Sequence, residues 1–142
     1  MKLDEIQQLI EKHSKIDRSD LAHESTSIPE IHGKFLSIWR DEKLKLRQLR
    51  HKMKTLWKEK WLYYSGKAGA NVYKEKPFDL KILRQDMNIF LEGDDDIQQL
   101  DAQIEIQNSK VEYLEAFITQ LNQRTWHFRN AIEYLRFTQG QV

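Results

Sequence analysis

The sequence predicts an all-α protein, built from one long helix followed by heptad-patterned C-terminal helices. Only two prolines and five glycines interrupt 142 residues, so helix breakers are scarce. Charged residues make up 32% of the chain, above the proportion usual in globular domains, which suits long helices with wide solvated faces. Apolar residues recur at gaps of three and four, the period of a helix rather than a strand.

Residues 2–16 are expected to form a short amphipathic helix, because Leu3, Ile6, Leu9, Ile10 and Ile16 recur at near-helical spacing. Residues 17–27 are polar and rich in Ser, Thr and His, which reads as a turn or loosely helical link. Ser27 then offers an N-cap, Pro29 sits close behind it, and Glu30 complements the first-turn dipole. Residues 31–64 contain no Pro, and Gly33 is their single Gly. Ile31, Phe35, Ile38, Leu46, Leu49, Met53, Leu56, Trp57 and Tyr64 trace the apolar face, with a break in phase near Glu42. Such a helix is about 50 Å long. Its own chain cannot cover it all round, so it must pack on other helices, other subunits or a ligand.

Residues 66–78 read as a loop and residues 80–91 as a short helix ended by Gly93. Asp94, Asp95 and Asp96 open the next helix, where acids complement the dipole. There Ile97, Leu100, Ile104, Gln107, Val111, Leu114, Ile118 and Leu121 alternate gaps of three and four, a coiled-coil heptad with one polar position. The apolar members, Ile97, Leu100, Ile104, Val111, Leu114, Ile118 and Leu121, are the expected oligomerisation surface. A last aromatic helix is expected over residues 126–137. The whole reads as a single helical domain, 1–142. It divides into an N-terminal helix and link (1–26), a long basic helix (27–66), a loop (67–79) and a helical oligomerisation half (80–142).

Apolar residues at 39% allow a modest core for one domain. The absence of cysteine excludes a disulfide framework and thiolate metal sites, and suits a reducing cytosol. No run approaches the roughly 18 apolar residues of a membrane span. The acidic start, Met1-Lys2-Leu3-Asp4-Glu5, lacks the basic and apolar pattern of a signal peptide. A cytoplasmic protein without membrane association is the expectation. The net charge of +1 conceals a segregation. Residues 40–60 hold nine Lys/Arg against three acids, and residues 91–115 hold eight acids against one Lys. Such asymmetry points to a binding surface more strongly than the total does.

Catalysis finds little support. The five histidines are scattered, with no pair at metal-ligand spacing on one helix. Ser65-Gly66-Lys67-Ala68-Gly69 lacks the spacing of a phosphate loop. The Asp94–Asp96 run lacks the alternating acids, central Gly and distal Glu of an EF-hand, and capping explains it better. No enzyme and no cofactor or metal site is expected. The basic helix differs. Lys43, Arg47, Arg50, Lys54, Lys58 and Trp61 are spaced by three or four and form one stripe. Trp57, Trp61, Tyr63 and Tyr64 gather at its C-terminal end. Binders of single-stranded nucleic acid pair a basic groove with aromatic platforms in this way. Trp57 and Tyr64 continue the apolar face and are assigned to the core first, which leaves Trp61 for ligand.

The end of this helix, Lys58-Glu59-Lys60-Trp61-Leu62-Tyr63-Tyr64-Ser65-Gly66, resembles the UvsY recombination mediator family of T4-like bacteriophages. The family motif is a basic residue, any residue, a basic residue, two more, then Tyr-Tyr-Ser-Gly. The chain length, the long helix before the motif and the helical C-terminal half are similar too. The resemblance implies binding of single-stranded DNA and a ring-like homo-oligomer, a hexamer or heptamer. It also implies help in loading a RecA-like recombinase onto DNA coated by single-stranded DNA-binding protein, without nucleotide hydrolysis, in the host bacterial cytoplasm. It assigns the DNA-binding basic pair to Lys58 and Lys60. Lys60 departs from the expected Arg, keeping the charge but losing the planar fork. Trp61 is more aromatic than expected, and Leu62 replaces an acid.

In a regular helix, residues two apart differ by about 200°. Lys58 then lies on the stripe and Lys60 near the apolar seam. Both can serve one strand if neighbouring subunits share a site, which the heptad favours, or if the helix loosens before Gly66. Two readings follow: a recombination mediator that binds DNA as a ring, or a non-enzymatic coiled-coil assembly protein whose basic helix packs against acidic neighbours.

Overall fold

The computed structural model describes residues 1–140. Among them are helices α1 (Leu3–Ser14), α2 (Leu21–Thr26), α3 (Ile28–Tyr64), α4 (Ala70–Glu75), α5 (Met87–Glu92) and α6 (Asp95–Thr138). A 3-10 turn, Arg84–Asp86, precedes α5, and no strand occurs among the described residues. The all-α class is therefore observed. Two compact units are built on the long helices: Met1–Lys43 with the stretch from Asn108 onward, and Leu44–Gln107.

In the first unit, Glu5 caps α1 by accepting from the Lys2 amide at 2.8 Å. Ile6 of α1 enters a core formed by Phe35 of α3 and Leu114, Phe117 and Leu121 of α6. Leu9, Ile10, Ile31, Ile38 and Trp39 pack around it. The phase break near Glu42 has a simple origin. Glu42 sits on the core-facing side, only 2% exposed, and accepts a hydrogen bond from the Met1 amino group at 3.1 Å.

In the second unit, Met87 and Leu91 of α5 and Ile97 of α6 form the core, with Met53, Leu56 and Tyr64 of α3 packed against them. Asp94 starts α6 as a side-chain cap. Its Oδ1 accepts from the amides of Asp96 and Ile97 at 2.9 and 3.1 Å.

Several local expectations are corrected. Ser27 does not cap α3 with its side chain: the hydroxyl donates back to the Glu24 carbonyl, closing α2 inside the supposed link. The supposed loop 66–78 contains α4, whose Tyr73 hydroxyl donates to the Tyr63 carbonyl at 2.8 Å. A helix does not begin at Leu80. Leu80 and Leu83 stay exposed, Leu83 is extended, and regular helix waits until Met87. A short segment without apolar cover cannot offset the cost of helix nucleation.

The separate aromatic helix is a continuation of α6, 44 residues long. Arg124 hid this continuity. Its charge interrupts the apolar pattern, yet it is buried on the same seam as Leu121 and Phe128, where its guanidinium donates to the His13 carbonyl. The seam also drifts: Phe117 is buried and Ile118 half-buried, as expected when a 3.6-residue helix is compared with a 3.5-residue repeat.

The expected oligomer seam is already occupied within the chain. Leu114 and Leu121 are fully buried in the first core, and Val111 is buried in the same unit. Ile97 and Leu100 are buried in the second unit, with Ile104 half-buried there and Ile118 half-buried in the first. The heptad period marks the faces that pack inside the chain, because intrachain and interchain helix packing demand the same stripe.

Candidate nucleic-acid interface

In the C-terminal part of α3, Leu46 is buried and Leu49, Met53 and Leu56 are half-buried. Arg47, Arg50, Lys54 and Lys58 are exposed, and none pairs with a carboxylate among the described residues. Lys43, the first residue of the stripe expected from spacing, belongs to the first unit, where its Nζ lies 4.5 Å from the centre of the Trp39 ring. Trp57 and Trp61 are each 37% exposed. Trp57 is thus a surface aromatic and not the core residue expected, whereas Tyr64 does join the core. The angular step explains the error, since Trp57 lies between the apolar seam and the basic stripe.

The helix ends in a Schellman turn. Gly66 has φ +79, its amide donates to the Tyr63 carbonyl at 3.3 Å, and the Lys67 amide donates to the Leu62 carbonyl at 2.9 Å. Gly supplies the left-handed conformation that this turn requires. The chain reversal brings Lys67 to the stripe's aromatic end, with Nζ 5.1 Å from the centre of the Trp61 ring. Lys67 was missing from the sequence-derived stripe because helical phase says nothing about residues beyond the helix.

Side chains of the motif fasten this turn. Tyr63 is buried, donates its hydroxyl to the Lys76 carbonyl at 3.1 Å, and stacks on Tyr73 at a centroid distance of 5.6 Å. The Ser65 hydroxyl donates to the Leu62 carbonyl at 3.1 Å. Tyr64 donates its hydroxyl to Asp94 Oδ2 at 2.6 Å. Burial, and then the Asp94 carboxylate, push the Tyr64 hydroxyl well above its ordinary pKa.

Lys60 lies on the opposite side from Lys58, as the angular argument expects. Its ammonium is 2.6 Å from Asp96 Oδ2 and 3.2 Å from Asp94 Oδ2, and its side chain is only 13% exposed. Burial works against the charged lysine, but the hydrogen bonds it donates to Asp96 and Asp94 prevail and raise its pKa. For Asp94 burial again opposes charge, and the Tyr64, Ile97 and Lys60 donors overcome it to lower the carboxyl pKa. The structure thus brings Arg47, Arg50, Lys54, Lys58 and Trp61 onto one exposed stripe and sets Lys60 apart.

The chain is thus an all-α protein with a row of exposed cations, unpaired among the described residues, ending in exposed aromatic rings on one long helix. No helix among the described residues is long and apolar enough to cross a membrane. The chain belongs to the UvsY family: residues 9–141 match the family described as recombination, repair and ssDNA binding protein UvsY. Its fold is similar to that of the bacteriophage T4 recombination mediator protein UvsY. One crystal form aligns with a TM-score of 0.85 at 18% identity, covering 99% of this chain and 98% of that chain. Another aligns with a TM-score of 0.80 at 18% identity, covering 97% and 99%. No curated protein matches the chain in sequence.

Proposed function

We propose that this protein binds single-stranded DNA along α3 and acts as a recombination mediator. In that role it promotes loading of a RecA-like recombinase onto DNA coated by single-stranded DNA-binding protein, in phage recombination, repair and replication. The observation that carries the reading is the row Arg47, Arg50, Lys54 and Lys58, exposed and unpaired among the described residues, leading to Trp61 and Lys67. Cations without carboxylate partners are available to phosphates at no cost in broken ion pairs. Each phosphate contacted on a single strand releases about 0.7 counterion, which drives association at low salt. Trp57 and Trp61 offer faces for bases, each worth roughly 1–3 kcal/mol when stacked.

The mediator works as a ring-like homo-oligomer, a hexamer or heptamer in this proposal. Since most of the heptad seam is buried within the chain, with Ile104 and Ile118 half-buried, the subunit contact is assigned to other apolar side chains. Trp126, Tyr134 and Phe137 of α6 are 63%, 67% and 84% exposed. Helical spacing puts them on the side opposite Leu121 and Phe128.

The test is fluorescence anisotropy of labelled oligo-dT over a salt series. Binding at low salt, falling as salt rises with a log–log slope near −0.7 for each phosphate contacted, is the expected result. Absence of binding at low salt overturns the DNA-binding reading.

A further inference from the structure

Resting on the reading of the α3 stripe as the DNA track, we infer that Lys60 is a positioning residue and not a DNA contact. It clasps the acidic start of α6 to the end of α3, and so holds the turn that sets Lys67 beside Trp61.

The ammonium group is already committed to two carboxylates, Asp96 Oδ2 at 2.6 Å and Asp94 Oδ2 at 3.2 Å. Asp94 in turn is fully engaged. Its side chain is 2% exposed, Oδ1 accepts from the amides of Asp96 and Ile97, and Oδ2 accepts from the Tyr64 hydroxyl and from Lys60. A Lys60 that left for a phosphate would strand a buried carboxylate beside the Tyr64 hydroxyl. The cavity of about 450 Å³ next to Lys60 is lined by Glu59 and Asp96 but also by Lys67 and Lys76, so a phosphate entering it meets cations other than the lysine already held by Asp94 and Asp96.

The rest of the motif supports the same division. From Lys60 to Gly66, the side chains of Tyr63, Tyr64 and Ser65 hydrogen-bond inside the fold, and Gly66 supplies the left-handed turn. Lys58 faces solvent without a carboxylate partner among the described residues. The motif thus joins one outward cation to a closure that fixes the end of α3.

Oligo-dT affinity, its salt dependence and the melting temperature of the full chain, measured for five proteins, test the inference. Lys58→Met is expected to weaken binding, reduce the log–log salt slope by about 0.7 and leave melting unchanged. Lys60→Met is expected to weaken binding several-fold and lower the melting temperature while keeping the parental slope. Lys60→Arg, which can still reach both carboxylates, should match the parent. Lys60→Met with Asp96→Asn, which removes one unpaired acid, should regain part of the lost affinity and melting temperature.

A Lys60→Met protein that melts like the parent and loses about 0.7 of slope overturns the inference, because that is the signature of a lost phosphate contact. So does a double variant that recovers nothing. If Lys60→Met does not fold, Asp96→Asn alone decides. A clasp lysine loses affinity or melting temperature with that change, whereas a DNA-contact lysine, released from an acid, binds more tightly. A parent that binds no DNA overturns the proposed function instead, and the melting cycle still reads the clasp.

Discussion

Lys58 and Lys60 carry the same charge two positions apart, and helix geometry gives them opposite surroundings: open solvent for one, two carboxylates and a tyrosine hydroxyl for the other. Trp61 shows the same dependence on position. Although aromatic, it remains 37% exposed at the end of the stripe, so Trp61→Ala should cost roughly 1–3 kcal/mol of single-strand binding with little change in melting. Equal loss of melting temperature would instead mark Trp61 as a packing residue. Leu114 behaves otherwise. It is fully buried against Ile6 and Phe35 within one chain, so Leu114→Ala should destabilise by about 2–5 kcal/mol in denaturant titrations. A charged residue there should unfold the first unit rather than release a folded subunit, and circular dichroism with sedimentation distinguishes the two.

The end of α3 depends on Gly66, whose φ of +79 suits glycine and whose missing Cβ would meet nothing within 4 Å. The penalty for Gly66→Ala is therefore conformational, about 1–2 kcal/mol, read as a shift in the denaturant midpoint. The contact between α3 and the start of α6 carries a pH signature. The folded carboxyl pKa of Asp94 lies below its ordinary 3.8, so its contribution to stability is full above that value and lost as pH falls through the lower folded one. The folded pKa of Lys60 lies above its ordinary 10.5, so its contribution is full below that value and lost as pH rises past the folded one. Melting curves should show the clasp intact through neutral pH and weakened at both extremes, and Asp94→Asn should flatten the acid side. A parental acid slope in that variant would place the titration elsewhere.

For the whole molecule, the observation with most consequence is that the heptad is satisfied internally. Among the large apolar side chains that stay exposed are Trp126, Tyr134 and Phe137 on the outer side of α6 and Leu80, Leu83 and Ile89 around α5; the proposed subunit contact is placed on the first three. Replacing Trp126 and Phe137 with Glu should reduce the mass seen by sedimentation or light scattering while helicity stays parental. An unchanged mass would move the subunit contact off this face. Light scattering with and without oligo-dT, over a salt series, measures assembly and DNA binding together.

The helical class, the long basic helix, the cap at Asp94 and the end of α3 at Gly66 were legible in the sequence, because each is set by short-range rules of period, capping and charge. The outward stripe was legible for the same reason: spacing alone puts Arg47, Arg50, Lys54 and Lys58 on one face. The resemblance of the Lys58–Gly66 segment pointed to the family that the chain-wide match then showed. Other features depended on residues far apart in the chain, which periodicity does not reach. Arg124 continues the α6 seam because His13 offers it a carbonyl. Lys67 joins the aromatic end because the chain reverses at Gly66. The heptad could not tell its own chain from a neighbour, since both need the same apolar stripe. Helix geometry already turned Lys60 away from Lys58, but only tertiary structure chose its partners, because Asp94 and Asp96 lie more than thirty residues away in the chain.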